Sequence, residues 1–159
     1  DIGCDPVEMC VTFPVKDLHG NIKFIQTRSI NNKFYFIPTG IKKTDFIFGG
    51  YECIIGNYNS VWIVESIFNA LTLWELGIPA VALLGTGGGQ QYNLLQQLPA
   101  REFVIALDND AAGYEGTQKI IRKLNRTKIL KILQYNSNDK RDINEMGNAV
   151  LNLTLQNIF

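Results

Sequence analysis

Val61-Trp62-Ile63-Val64-Glu65 and Phe103-Val104-Ile105-Ala106-Leu107-Asp108-Asn109-Asp110 decide how this chain folds. Each is an apolar, partly β-branched run that ends abruptly in acid. Such runs read as strands buried on both faces, the usual condition inside a parallel sheet. Each is followed by a segment with helical spacing. Residues 66–76 place Ile67, Ala70, Leu71 and Trp74 along one face, and Gly77 stops that helix. Residues 111–125 place Tyr114, Thr117, Ile121 and Leu124 on one stripe. In open α/β sheets, ligands gather outside the carboxyl ends of the strands. Glu65, Asp108 and Asp110 are therefore expected to project from one edge of one sheet. Three carboxylates converging there suit a hard divalent cation, Mg²⁺ most naturally.

The alternation of strand and helix runs outward from these two segments. Residues 79–84 read as a strand, 85–89 as a glycine-rich loop, and 90–98 as a helix closed by Pro99. Residues 128–133 form a further strand, 136–141 a polar loop, and Asp142 caps a last helix over 142–146. Upstream the pattern differs. Val11-Thr12-Phe13-Pro14-Val15 is a short strand, residues 16–21 a turn carrying His19, and 22–30 a second strand that completes a hairpin. After Asn31-Asn32, residues 33–37 read as a third strand, closed by Pro38. The chain thus divides into a β-rich segment over 1–58 and an α/β unit over 59–159.

Composition narrows the function classes. The 159 residues are 46% hydrophobic, enough for a core, and the formal net charge is zero. No overall basic field advertises nucleic acid, so any such contact needs a local patch. The cysteines are Cys4, Cys10 and Cys53, and His19 is the single histidine. Neither CxxC nor HxxxH spacing occurs, which argues against structural zinc. Sparse, odd cysteine usage points to a reducing compartment, the cytoplasm by default. No apolar run is long enough to span a bilayer, so no membrane partner is expected. A chain opening at Asp1 instead of Met is expected to be a piece of something longer.

Each candidate has a bland reading. A lone acid such as Glu65 can cap the next helix or sit in water. Asp108 and Asp110 flank one residue between a buried strand and a helix; both serving as caps is implausible, and their repulsion calls for a cation. Asn109 between them reads as a turn residue. Gly113 and Gly116 let their helix approach the sheet. The loop Gly85-Thr86-Gly87-Gly88-Gly89 is either a phosphate cradle or a tight turn. It misses a dinucleotide fingerprint because Gln90 holds the last position, although Asp108 ends the next strand, where a ribose-binding acid would stand. Lys119, Arg122, Lys123, Arg126, Lys128 and Lys131 form a solvated face or a basic shoulder for a polyphosphate. Arg28 and Lys33 are candidates to reach phosphates, and Lys42-Lys43 reads as a solvated pair. Cys53 reads as buried and inert.

Three motifs together resemble a known family. Val64-Glu65-Ser66-Ile67-Phe68-Asn69-Ala70-Leu71, Val81-Ala82-Leu83-Leu84-Gly85-Thr86 and Leu107-Asp108-Asn109-Asp110-Ala111-Ala112-Gly113 look like the TOPRIM domain, most similar to that of bacterial and phage-type DNA primases. Lys140-Arg141-Asp142-Ile143-Asn144-Glu145 resembles its later acidic element. Phe13-Pro14-Val15, Gly20, Arg28 and Lys33 resemble the strand-rich part that precedes it. The resemblance implies an α/β TOPRIM fold behind a small β-rich segment. It also implies RNA primer synthesis from nucleoside triphosphates on single-stranded DNA, beside a replicative helicase. Mg²⁺ or Mn²⁺ would be held by Glu65, Asp108, Asp110 and Asp142, the first three being catalytic. Arg28, Lys33 and Asn69 would lie on the nucleotide side.

Two departures stand out. Primases usually carry an aspartate one helical turn after the glutamate, where this chain has Asn69. Phe34, Tyr35 and Phe36 follow Lys33, where the family has a short polar stretch. These departures keep alive a non-catalytic TOPRIM module that binds nucleic acid or a protein, and a TOPRIM nuclease would use the same acids to cut. The topoisomerase reading lacks its tyrosine-bearing domain, and the recombination-mediator reading lacks its zinc-finger cysteines.

Overall fold

A computed structural model describes residues 2–32, 34–136 and 139–158. The first sheet has four strands in the order β1 (Gly3–Asp5), β2 (Cys10–Lys16), β3 (Ile22–Ser29) and β4 (Tyr35–Phe36), all antiparallel. The β2–β3 turn forms because the Asp17 carboxylate accepts the backbone N–H groups of His19 and Asn21 at 2.9 and 3.0 Å, while Gly20 takes φ +91°. Pro14 is tolerated in β2 because β1 pairs only with Cys10–Thr12 and leaves the proline past its end. The third predicted strand shrinks to Tyr35–Phe36, and Lys33 lies outside the described residues.

The second sheet runs in the order β6 (Ala80–Ala82), β5 (Ser60–Val64), β7 (Glu102–Ile105), β8 (Ile129–Gln134) and β9 (Thr154–Ile158). Its first four strands are parallel, and β9 joins antiparallel to β8. One face is covered by α1 (Gly50–Gly56), α3 (Gln91–Gln97) and α4 (Ala111–Leu124), which bury Cys53, Leu95, Ile120 and Leu124 against Val61, Ile63, Phe103 and Ile105. The other face takes α2 (Ile67–Glu75) and α5 (Ile143–Met146). It also takes the inner face of the first sheet, so Phe13, Val15 and Phe24 share a core with Val64, Ile67, Ala70 and Ile143. Burial on both faces is why the central strands carry no polar alternation. Among the described residues, no helix is long and apolar enough to cross a membrane.

Several elements depart from the sequence pattern. Residues 43–56 are not strand: a 3₁₀ turn at Lys43–Asp45 leads through a Phe48–Ala82 bridge into α1, against β6. The predicted stripe of α4 is rotated. Tyr114 is 68% exposed, and the buried face is Gly113, Gly116, Thr117, Ile120 and Leu124. The glycines make the close approach, since a Cβ on Gly113 would sit 2.0 Å from the Asp108 carbonyl oxygen. Similarly, α2 buries Ile67 and Ala70 as expected, together with Asn69 and Leu73 in place of Leu71 and Trp74.

The glycine-rich loop is a packed turn. Gln91, fully buried at the start of α3, accepts the Gly88 N–H at 2.9 Å. Its amide nitrogen donates to the carbonyls of Phe46 at 2.8 Å, Lys43 at 3.2 Å and Leu83. The loop N–H groups of Gly85 and Gly88 are thus spent inside the protein, the former on the Glu65 carbonyl. Replacing Gln91 by Leu leaves these groups buried without partners. Urea denaturation of Gln91→Leu should show a loss of about 2–4 kcal/mol with an unchanged m-value.

Candidate active site

The parallel pairing of β5 with β7 runs Ile63 beside Ile105, so the two strands end level. Beyond these ends, the Asp108 backbone N–H donates to Glu65 Oε1 at 3.3 Å. Two residues on, Asp110 caps α4, its Oδ1 accepting the Gly113 N–H at 2.7 Å. Asp142 caps α5 in the same way, accepting the Glu145 N–H at 2.8 Å while the Glu145 carboxylate takes the Asp142 N–H at 3.3 Å. Glu65, Asp108, Asp110 and Asp142 therefore stand along one sheet edge.

Two amide side chains, Asn69 and Asn109, tie this edge together. Asn69 is fully buried in α2; its amide nitrogen donates to Asp108 Oδ1 at 3.2 Å and its amide oxygen accepts the Asn144 N–H at 3.1 Å. Asn109 does more than turn the chain. Its amide donates to the Asp139 carbonyl at 2.7 Å and the Asn136 carbonyl at 3.5 Å, tethering the loop that leads to Asp142.

Glu65 and Asp108 border a cleft of about 230 Å³ closed by the first sheet, while Asp110 and Asp142 lie outside its lining. Arg28, Lys43, Gln26 and Tyr35 line it together with Glu65, Ser66, Phe68 and Asp108. The Arg28 guanidinium lies 5.9 Å from the Phe68 ring centroid. Lys43, read from sequence as a solvated pair with Lys42, reaches the cleft because the 3₁₀ turn folds it over Gly85, whose added Cβ would lie 3.3 Å from Lys43 Nζ. No local pattern signals this; only the packing of 43–56 on β6 does. Asn69 lies outside that lining. The basic run splits up. Lys128 Nζ is spent on the carbonyls of Leu98 and Ala100 at 2.8 and 2.7 Å, and Lys131 pairs with Glu102 at 2.7 Å. Arg122, Lys123 and Arg126 are exposed.

A family profile described as Toprim-like matches residues 62–146, more than half of the chain. The chain belongs to the Toprim-like family. It is 30% identical over 145 residues to the DNA primase of Mycoplasma genitalium, an overlap of 82% of this chain and 23% of that protein. It thus spans about a quarter of the length of that curated relative. In fold it is similar to the Aquifex aeolicus primase, zinc-binding and RNA polymerase domains, with a TM-score of 0.73 at 22% identity over 92% of this chain and 41% of the other. A primase catalytic domain bound to single-stranded DNA gives a TM-score of 0.68 at 23% identity, over 83% and 45%. The α/β Toprim fold with its β-rich segment, read from three motifs, is thereby established.

The electrostatics of this Toprim-like edge follow from its crowding. Burial pushes the Glu65 carboxyl up to about 7; Asp108 and Asp110 add to the rise, and the Asp108 N–H and Lys43 oppose it. Asp108 is raised by burial and then by Asp142 and Asp110, against the Asn69 hydrogen bond. Burial also raises the Tyr135 phenol, helped by Asp108, Asp142 and Glu65. Among the described residues, no three His, Cys, Asp or Glu side chains are gathered closely enough to enclose one ion. The donor set still fits Mg²⁺, which binds through one or two carboxylates and keeps waters on its other positions. Hard, mutually repelling oxygens at a half-buried edge are what such an ion relieves.

The sign of the pH dependence follows. Below the ordinary glutamate value of 4.5, both folded and unfolded chains carry a protonated Glu65. From there to about 7 the unfolded chain ionises first, so the metal-free fold loses stability as pH rises. Thermal melts from pH 4.5 to 7.5 in chelator should show this fall, and Glu65→Gln should reduce it. An identical slope in the variant would disprove the assignment.

Proposed function

We propose that this chain is the Toprim part of a primase-like nucleotidyltransferase that joins ribonucleotides on a single-stranded DNA template. The observation that carries the reading is that one cleft gathers cations and carboxylates: Arg28 and Lys43 line it together with Glu65 and Asp108. A nucleoside triphosphate needs both. Its phosphate oxygens suit Arg28 and Lys43, and Lys33 is assigned the same role by its place in the chain. Asp108 and Asp110, with Asp142 beside them, would hold Mg²⁺ or Mn²⁺, and the bound ion would neutralise charge on the reacting phosphates. Phosphoryl transfer asks mainly for positioning and charge neutralisation. Asp110 and Asp142 are fixed by their caps, and each keeps a second oxygen for a ligand. Glu65 holds the Asp108 backbone in register and is assigned as a further ligand or as the acceptor of a proton. A replicative helicase is the assigned partner and the cytoplasm the assigned compartment, both following from replication.

Template-directed incorporation of ribonucleotides on single-stranded DNA, with Mg²⁺ or Mn²⁺, tests this. Asp108→Asn and Asp110→Asn keep shape and caps but remove charge. Each should lower product by about 100-fold or more, on the scale of lost electrostatic stabilisation. Product yields equal to the parent in both variants would refute the catalytic assignment.

A second reading has its own observation. Phe34 and Phe36, 64% and 48% exposed, sit at the edge of the first sheet and offer stacking surfaces for bases. The chain would then bind single-stranded nucleic acid without joining nucleotides. In that case fluorescence anisotropy with a labelled oligonucleotide shows binding that weakens about 10-fold or more in Phe34→Ala with Phe36→Ala, and no incorporation is seen.

A further inference from the structure

Asn69 is buried as completely as any residue of the core, yet it is polar and lies among acids. Its Nδ2 meets Asp108 Oδ1, which only accepts, and its Oδ1 meets the Asn144 N–H, which only donates. Chemistry therefore fixes which way the amide points. Its own backbone N–H is held by Ser66 Oγ at 3.1 Å, anchoring it in the first turn of α2. A parallel tie runs from Thr72 Oγ1 to Asn144 Oδ1 at 3.1 Å. The amide oxygen thus helps to dock α5, the helix that Asp142 caps, and the fully buried side chain lies outside the lining of the cleft.

We propose that Asn69 is a neutral strut between Asp108 and α5, and that it limits this edge to one divalent ion. The inference rests on the metal reading above. A carboxylate at position 69 would set an acceptor against Asp108 Oδ1 across a 3.2 Å contact. Two carboxylates at that separation need a cation or a shared proton between them. The amide supplies a donor instead, so the gap between Asp108 and α5 is closed without an ion. Asn69 is accordingly a positioning residue: it acts through Asp108 and through the helix behind Asp142.

Calorimetric titration with Mn²⁺, together with melting temperatures in chelator and in Mn²⁺, tests the strut. The parent chain should take up one Mn²⁺. Asn69→Asp should melt about 5–10 °C lower in chelator, regain that loss in Mn²⁺ and bind two ions. Two ions in the parent would overturn the strut while leaving the metal reading intact. No Mn²⁺ in the parent would overturn the metal reading and the strut with it. An Asn69→Asp variant that melts with the parent in chelator and binds one ion would overturn the strut alone. Should Asn69→Asp fail to fold, the ion count of the parent chain decides, since it needs no variant.

Discussion

Like charges brought together at a half-buried edge must be held there by something. In this chain the repulsion among Glu65, Asp108, Asp110 and Asp142 is the constraint that the surrounding structure answers. The answer is a set of fixed donors. The Asp108 and Gly113 backbone N–H groups point at Glu65 and Asp110, the Glu145 N–H points at Asp142, and the Asn69 amide points at Asp108. Three of these are backbone groups, which cannot rotate away. The level ending of β5 and β7, the short turn into α4 and the docking of α5 on α2 can each be understood as placing a donor beside a carboxylate. Burial first, and then the like charge that the donors leave uncompensated, raises the Glu65 and Asp108 carboxyls.

The parts visible in the sequence are those governed by periodicity and by local punctuation. Buried strands, their acidic ends and the Asp142 cap all leave a signature within a few residues. The parts that escaped are governed by contacts between distant segments. Lys43 reaches the cleft because residues 43–56 pack against β6, and nothing within that stretch announces it. Asn69 and Asn109 look like a helix residue and a turn residue; their partners lie 75 and 30 positions away. The stripe of α4 keeps Thr117 and Leu124 but turns away from Tyr114 for another reason. Side-chain size weights a hydrophobic face toward Tyr114, whereas the closest contact is made by glycines, which have no side chain to count. β9 is an exposed edge strand, so its alternation carries little contrast.

Asn69 also shows how a departure from a family pattern gains a physical meaning. On sequence it is a missing charge. In the fold it is a donor and an acceptor matched to two different partners, and its burial is complete because both needs are met. The same holds for Gln91, whose amide converts a run of glycines from an apparent anion cradle into a rigid corner of the core.

Phe13, Val15 and Phe24 pack into the same apolar cluster as α2 and α5. The change of topology near residue 58 is therefore no break in the core. One consequence concerns mechanical behaviour. The wall bearing Arg28 and the wall bearing Glu65 are fastened by a continuous hydrophobic contact, so the gap between them behaves as a slot of set width and not as a jaw. Its cations and its acids are already gathered in the folded chain, and the cost of bringing them together has been met once, during folding.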